Sequence, residues 1–209
     1  MILLNGLSSK SMKKYLCLFF LIGSGLFVVQ SQAFANSTYG SGNYGDCQYS
    51  SCSITISNNS SVALSLTPTS GGSCVIGSDS VIVTTHNTNG YFLTLSSTAS
   101  QTSLNNGTSQ IPTSSGTFAS PSLLAVNKWG YRIDGQGGFG SGPTTLSTNP
   151  SLSTFAGVEV SPGDTVKSTT VATSNSGDTT PIWYGVCADS SNKNGSYSVG
   201  ITYTATANP

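Results

Sequence analysis

Few side chains in this sequence could do chemistry, and their spacing suits none of the common reactions. His86 is the only histidine of the chain. Nucleophilic hydrolysis needs a base beside an activated Ser or Cys. Serines are plentiful, but no Gly-x-Ser-x-Gly elbow occurs after residue 35, and His86 adjoins a turn signal at Asn87–Gly90. A glycosidase needs two facing carboxylates. The candidates are Glu159 and six aspartates, of which Asp46, Asp134, Asp164, Asp178 and Asp189 adjoin Gly, Cys, Ser or Thr in turn-like contexts. Zinc would need clustered Cys and His; there is no Cys-x-x-Cys pair, so no metal or cofactor site is expected. Asp189–Gly195 has the polar look of a calcium loop without its distal Glu, and reads as a turn. A Lys–Asn cross-link beside a carboxylate would draw on Lys167 and Glu159, which read better as two exposed neighbours. Trp129 alternates with Tyr131 and Ile133 as a core residue does, whereas Trp183 is a candidate stacking platform for a sugar. The chain is expected not to be an enzyme.

Composition narrows the classes further. Charged residues are 7% of the 209, against about 25% in an ordinary soluble domain. Ser and Thr together number about 65. So little positive charge excludes a nucleic-acid partner. Bundles and coiled coils lack their Glu, Lys, Ala and Leu at helical period. A hydrophobic content of 36% with zero formal net charge argues against plain disorder.

Residues 1–35 read as an export signal. Lys13 and Lys14 precede an apolar run from Tyr15 to Val29, and Ala33-Phe34-Ala35 supplies a small-x-small site with the cut expected before Asn36. The run is short for a membrane span, so no stable span is expected after cleavage. Met12 is the more natural start for such a signal than Met1. The mature chain would have 174 residues with four cations (Lys128, Arg132, Lys167, Lys193) against all seven acids, hence a charge of −3. Such a length is most simply one domain. Cys47, Cys52, Cys74 and Cys187 remain. An even number in an exported chain favours two disulfides, with three pairings open.

Residues 36–51 are polar and Gly-rich, with Tyr39, Tyr44 and Tyr49 every five residues. That spacing fits neither the strand period nor the helix period, and the segment reads as an extended arm. From residue 52 to 209 the pattern is strand after strand. Val62, Leu64 and Leu66 alternate with small polar or Ala residues. Val81–Thr85 and Tyr91–Ser97 read as a hairpin closed through Asn89-Gly90. Residues 105–122 suggest a small hairpin and a loop. Asn127–Asp134 is a strand, and Phe155–Val160 and Thr165–Ala172 flank a Pro-Gly turn. Ile182–Ala188 is apolar on both faces, as a central strand is. Tyr197–Thr206 alternates most cleanly of all. The expectation is an all-β fold: a single antiparallel β-sandwich, Ig-like or jelly-roll-like, of about nine strands.

Three segments carry a resemblance. They are Asn127-Lys128-Trp129-Gly130-Tyr131-Arg132, then Trp183 to Asp189, and Gly195-Ser196-Tyr197 running into Tyr203 to Asn208. With Asn87-Thr88-Asn89-Gly90-Tyr91 and the Tyr-Gly arm, they resemble exported surface proteins of Saccharibacteria-type bacteria, ultra-small cells attached to a host bacterium. The resemblance implies an extracellular β-sandwich in the envelope or in contact with the host cell. A Trp-x-Leu wall-binding motif is replaced by Trp129-Gly130-Tyr131, so peptidoglycan binding is not carried over. The expected pairing is Cys74–Cys187, with Cys47–Cys52 closing a small loop at the base of the arm; Cys52–Cys187 would overturn it. The expected role is a secreted or cell-surface adhesion or envelope component whose partners are host-cell or own envelope glycans or proteins. A carbohydrate-binding module built on Trp183 is one alternative. A self-associating surface-layer or pilus-like subunit, with the arm as donor strand, is another.

Overall fold

The structure, a computed structural model, describes residues 34–35 (backbone alone), 53–59, 61–140 and 153–209. The leader before Phe34, the arm at 36–51 and the Cys47–Cys52 pair lie outside them. Among the described residues there is no helix, and so none long and apolar enough to cross a membrane. Twelve strands form: β1 (Phe34–Ala35), β2 (Ile54–Ser57), β3 (Ser73–Thr85), β4 (Tyr91–Ser97), β5 (Leu104–Asn105), β6 (Gln110–Ile111), β7 (Ser122–Leu123), β8 (Lys128–Arg132), β9 (Thr154–Phe155), β10 (Asp164–Ser168), β11 (Asp178–Ala188) and β12 (Ile201–Ala207).

The fold is all-β, and its sheets are antiparallel apart from one short parallel pair. Among the described residues twelve strands stand in four sheets, where about nine strands were expected. Sheet I has the order β1-β12-β4-β10 and sheet II the order β2-β3-β11-β8, while β5-β6 and β7-β9 are two-stranded. Sheets I and II share one core. Val81 and Val83 of β3, Ile182 of β11 and Tyr131 of β8 meet Leu93 and Leu95 of β4, Val166 of β10 and Ala205 of β12, all fully buried. As its apolar faces require, β11 is central, pairing with β3 over eleven residues and with β8 over five.

Local signals misled in two places. Residues 81–85 and 91–97 do not form a hairpin: β3 belongs to sheet II and β4 to sheet I, and the turn between them is an arch from sheet to sheet. Of its Asn89-Gly90 dipeptide only the glycine takes the positive φ that a hairpin turn would ask of both residues. Asn87 N–H2 donates to the Gly90 carbonyl (2.9 Å), and Gly90 has φ +78°, with the Thr169 carbonyl 2.3 Å from where a Cβ would stand. The second place is Val62–Leu66. Side chains at 61–68 alternate between half-buried and exposed, as extended chain does, yet the segment joins no ladder. Val62 and Leu64 instead pack where the missing side chain of Gly77 leaves room. Several strands are also shorter than expected: β9 covers only the start of 155–160, β10 ends at Ser168, and β12 starts at Ile201.

Candidate functional site

Charge is sparse, and much of it is spent between the sheets. Three Tyr–Asp hydrogen bonds each cross from one sheet to the other. Tyr131 of β8 donates to Asp164 of β10 (2.6 Å), Tyr91 of β4 to Asp178 of β11 (2.9 Å), and Tyr203 of β12 to Asp79 of β3 (3.1 Å). Lys167 of β10 reaches across to Asp178 (2.6 Å) and Thr180 (3.2 Å). Asp79, only 3% exposed, is also held by Asn58 Nδ2 (3.1 Å) and the Asn59 N–H (2.9 Å). Because Tyr203 spends its proton on Asp79, Tyr184 must donate to the Tyr203 oxygen at 2.6 Å. A buried carboxylate persists only with such company. From β8, Arg132 donates to Asp134 (2.6 Å), to Thr154 Oγ1 of β9 (3.0 Å) and to the Phe139 carbonyl (3.1 Å).

Burial raises the pKa of Tyr91, Tyr131, Tyr184 and Tyr203 above the ordinary phenol value, and the nearby aspartates add to it. The sign of the consequence is definite. Above about pH 10 the unfolded chain loses phenolic protons that the folded chain keeps, so stability falls as pH rises. Four phenols should therefore ionise only together with unfolding. An alkaline titration following tyrosinate absorbance and circular dichroism together checks this; four phenols ionising while the fold persists would contradict it.

Inward use of charge leaves the outward face of sheet I without any among the described residues. Phe92 and Thr94 of β4, Thr202, Thr204 and Thr206 of β12, and Thr165 and Ser168 of β10 lie on that side. The register sets Phe92 beside Thr206 and Ser168, and Thr94 beside Thr204 and Thr165. Thr98 and Thr202 share a hydroxyl bond of 3.0 Å at its end. This threonine face with one aromatic ring is the candidate contact surface.

Sheet II has no equivalent. β7 and β9 pair with each other, and Leu124 and Phe155 join Ile76, Trp183 and Cys187 in a second, smaller core on its outer side. Trp183 is 8% exposed, so the platform the sequence suggested there lacks an open face. Gly185 has no Cβ because Phe155 Cε1 stands 2.7 Å from where one would be. Cys74 and Cys187 are cross-strand partners on β3 and β11, with their sulfurs at disulfide distance, 2.06 Å.

Among the other expected residues, His86 and Glu159 are exposed, and Lys167 meets Asp178 instead of Glu159. The Ser191 hydroxyl and then the Ser191 N–H (2.9 Å) donate to Asp189, turn contacts that hold its carboxyl below the usual range. Among the described residues no group of three His, Cys, Asp or Glu is placed to hold a metal ion. Asn87 and Asn208 interlock: Asn87 Nδ2 donates to the Asn208 carbonyl (2.7 Å), and Asn208 Nδ2 to the carbonyls of Asn89 (2.8 Å) and Thr169 (2.7 Å). The Asn-Thr-Asn-Gly motif is thus a clasp for the end of β12. No sequence signal pointed to the Tyr–Asp bonds, whose partners lie 33, 87 and 124 residues apart. No family model, curated protein or solved structure matches the chain.

Proposed function

We propose that this is an exported, non-enzymatic surface protein, a β-sandwich of Ig-like or jelly-roll-like build, acting in adhesion or as an envelope component. Its contact surface is the outward face of sheet I, and its partners are glycans or proteins of its own or a host cell's envelope. One observation carries the reading: Asp164 and Lys167 of β10 turn inward to Tyr131 and Asp178, leaving hydroxyls and Phe92 outside. An uncharged hydroxyl face avoids the desolvation cost of ions and can exchange water hydrogen bonds for those of a polyhydroxylated or amide-rich partner. If the partner is a sugar, Phe92 is the ring on which it stacks, since Trp183 is covered.

Pull-down from cell envelope with the purified protein, together with a glycan array, tests the reading. Saturable retention is the expected result. It should change little with added salt, because no ion pair forms at this face. Empty arrays and empty pull-downs would remove the adhesion reading.

A further inference from the structure

Sheet edges invite other strands, and this fold guards most of its own. At one edge of sheet I, β10 carries a register shift between Thr165 and Lys167 and turns Asp164 and Lys167 inward, both devices against pairing. At one edge of sheet II, β8 meets bridges from Thr113 and Ala156, and the other edge, β2, has four residues. β12 has no such guard. Its seven residues Ile201–Ala207 carry no charge and no proline, and they pair with β4 without a register break. Just beyond the ends of that ladder, the Thr98 N–H donates to Gly200 (2.9 Å) and the Asn208 N–H to Gly90 (3.0 Å). Even-numbered residues from 200 to 208 therefore turn their N–H and C=O groups to β4. Ile201, Tyr203, Ala205 and Ala207 turn theirs to the edge. Among the described residues the one strand on that edge is β1, which stands beside Thr204 and Ala205 and belongs to the leader under the export reading.

We propose that in the exported protein this edge pairs with the same edge of a second copy, antiparallel about a two-fold axis through Thr204. This rests on the proposed export and cut, which take β1 away. Such an axis stands perpendicular to the sheet, so residues of one face meet residues of the same face. Centred on Thr204 it uses every free group. Ile201 stands opposite Ala207 of the second copy and Tyr203 opposite its Ala205, and each such pair exchanges two N–H···O=C bonds. An axis through Tyr203 would leave Ala207 without a partner in β12, and one through Ala205 would leave Ile201 so. Self-pairing sets like against like, and any charge near the axis would meet its own sign; this strand has none. Thr204 meets Thr204 of the second copy at a non-hydrogen-bonded site, where side chains come closest and threonine pairs are favourable. The product is one sheet, β10-β4-β12 from each copy, with the threonine face unbroken across it. A glycan or other envelope polymer then meets two contact surfaces side by side and is held by both.

Sedimentation of the full chain, expressed in an exporting host and with its N-terminus fixed by intact mass, tests the proposal. Native protein should be a dimer at tens of micromolar. Thr204→Lys and Thr204→Glu each set like charges face to face on the axis. Each should dimerise at least about tenfold more weakly, with unchanged circular dichroism. Mixed in equal amounts the two variants should dimerise again, because the facing charges are then opposite. A native monomer would overturn the pairing, as would a mass that retains Phe34–Ala35 and so keeps β1 on the edge. A dimer indifferent to both substitutions, or a mixture that stays monomeric, would overturn Thr204 as the axis. Envelope binding by a native monomer would overturn the pairing alone and leave the contact reading standing.

Discussion

Replacing Cys74 and Cys187 together by alanine should lower stability by about 4 kcal/mol, one of the two largest single effects expected in this molecule. The two residues are 113 apart, and the loop they close contains β4 to β10. Without the bond, the unfolded chain regains the freedom of that whole loop, a loss of stability that grows only slowly with loop length. Cys187 is fully buried beside Phe155 and Trp183, so the alanines also remove packing from the smaller core. Denaturant unfolding of the native and double-alanine proteins measures the difference. A midpoint shifted by less than about 1 kcal/mol would mean that the ladder between β3 and β11 suffices by itself.

Phe155→Ala should cost a comparable ~3–5 kcal/mol, as truncation of a fully buried aromatic does. Phe155 is 0% exposed and fills the space above Gly185, over the outer side of sheet II. Its removal opens a cavity next to Trp183, whereas Trp129 lies in the main core with its indole N–H on the Thr102 carbonyl (3.0 Å). The variant should therefore show red-shifted emission from one tryptophan while still folded. An unchanged spectrum with unchanged stability would show that β7 and β9 do not hold that face closed.

What the sequence made legible was local. Alternation in Tyr197–Thr206 marked the face of β12 that turns inward at Tyr203 and Ala205, and the two apolar faces of 182–188 marked a central strand. The burial of Trp129 was also readable, whereas three cysteine pairings stayed open and the Cys74–Cys187 one is found at disulfide distance. What stayed hidden depends on distant partners. An Asn-Gly turn looks the same whether it closes a hairpin or carries the chain from one sheet to another; here Asn208, 121 residues from Asn87, helps hold the arch. Alternation at 62–66 likewise reported an extended chain but could not say whether a ladder awaited it. Asp164 and Asp178 adjoin glycines, which suggested solvated turns. Instead they start β10 and β11, where tyrosines of the opposite sheet reach them.

The scarcity of charge thereby acquires a physical reading. Asp79, Asp164, Asp178 and Lys167 are bonded between the sheets, and threonines, a serine and one phenylalanine occupy the outside of sheet I. The most direct test is envelope binding by the native protein against a Phe92→Ala, Thr204→Lys variant, both checked for the same unfolding midpoint. Native protein should bind saturably and the variant at least about tenfold more weakly, a loss of ~1.4 kcal/mol. Equal binding by the two forms would contradict the assignment of the contact to this face.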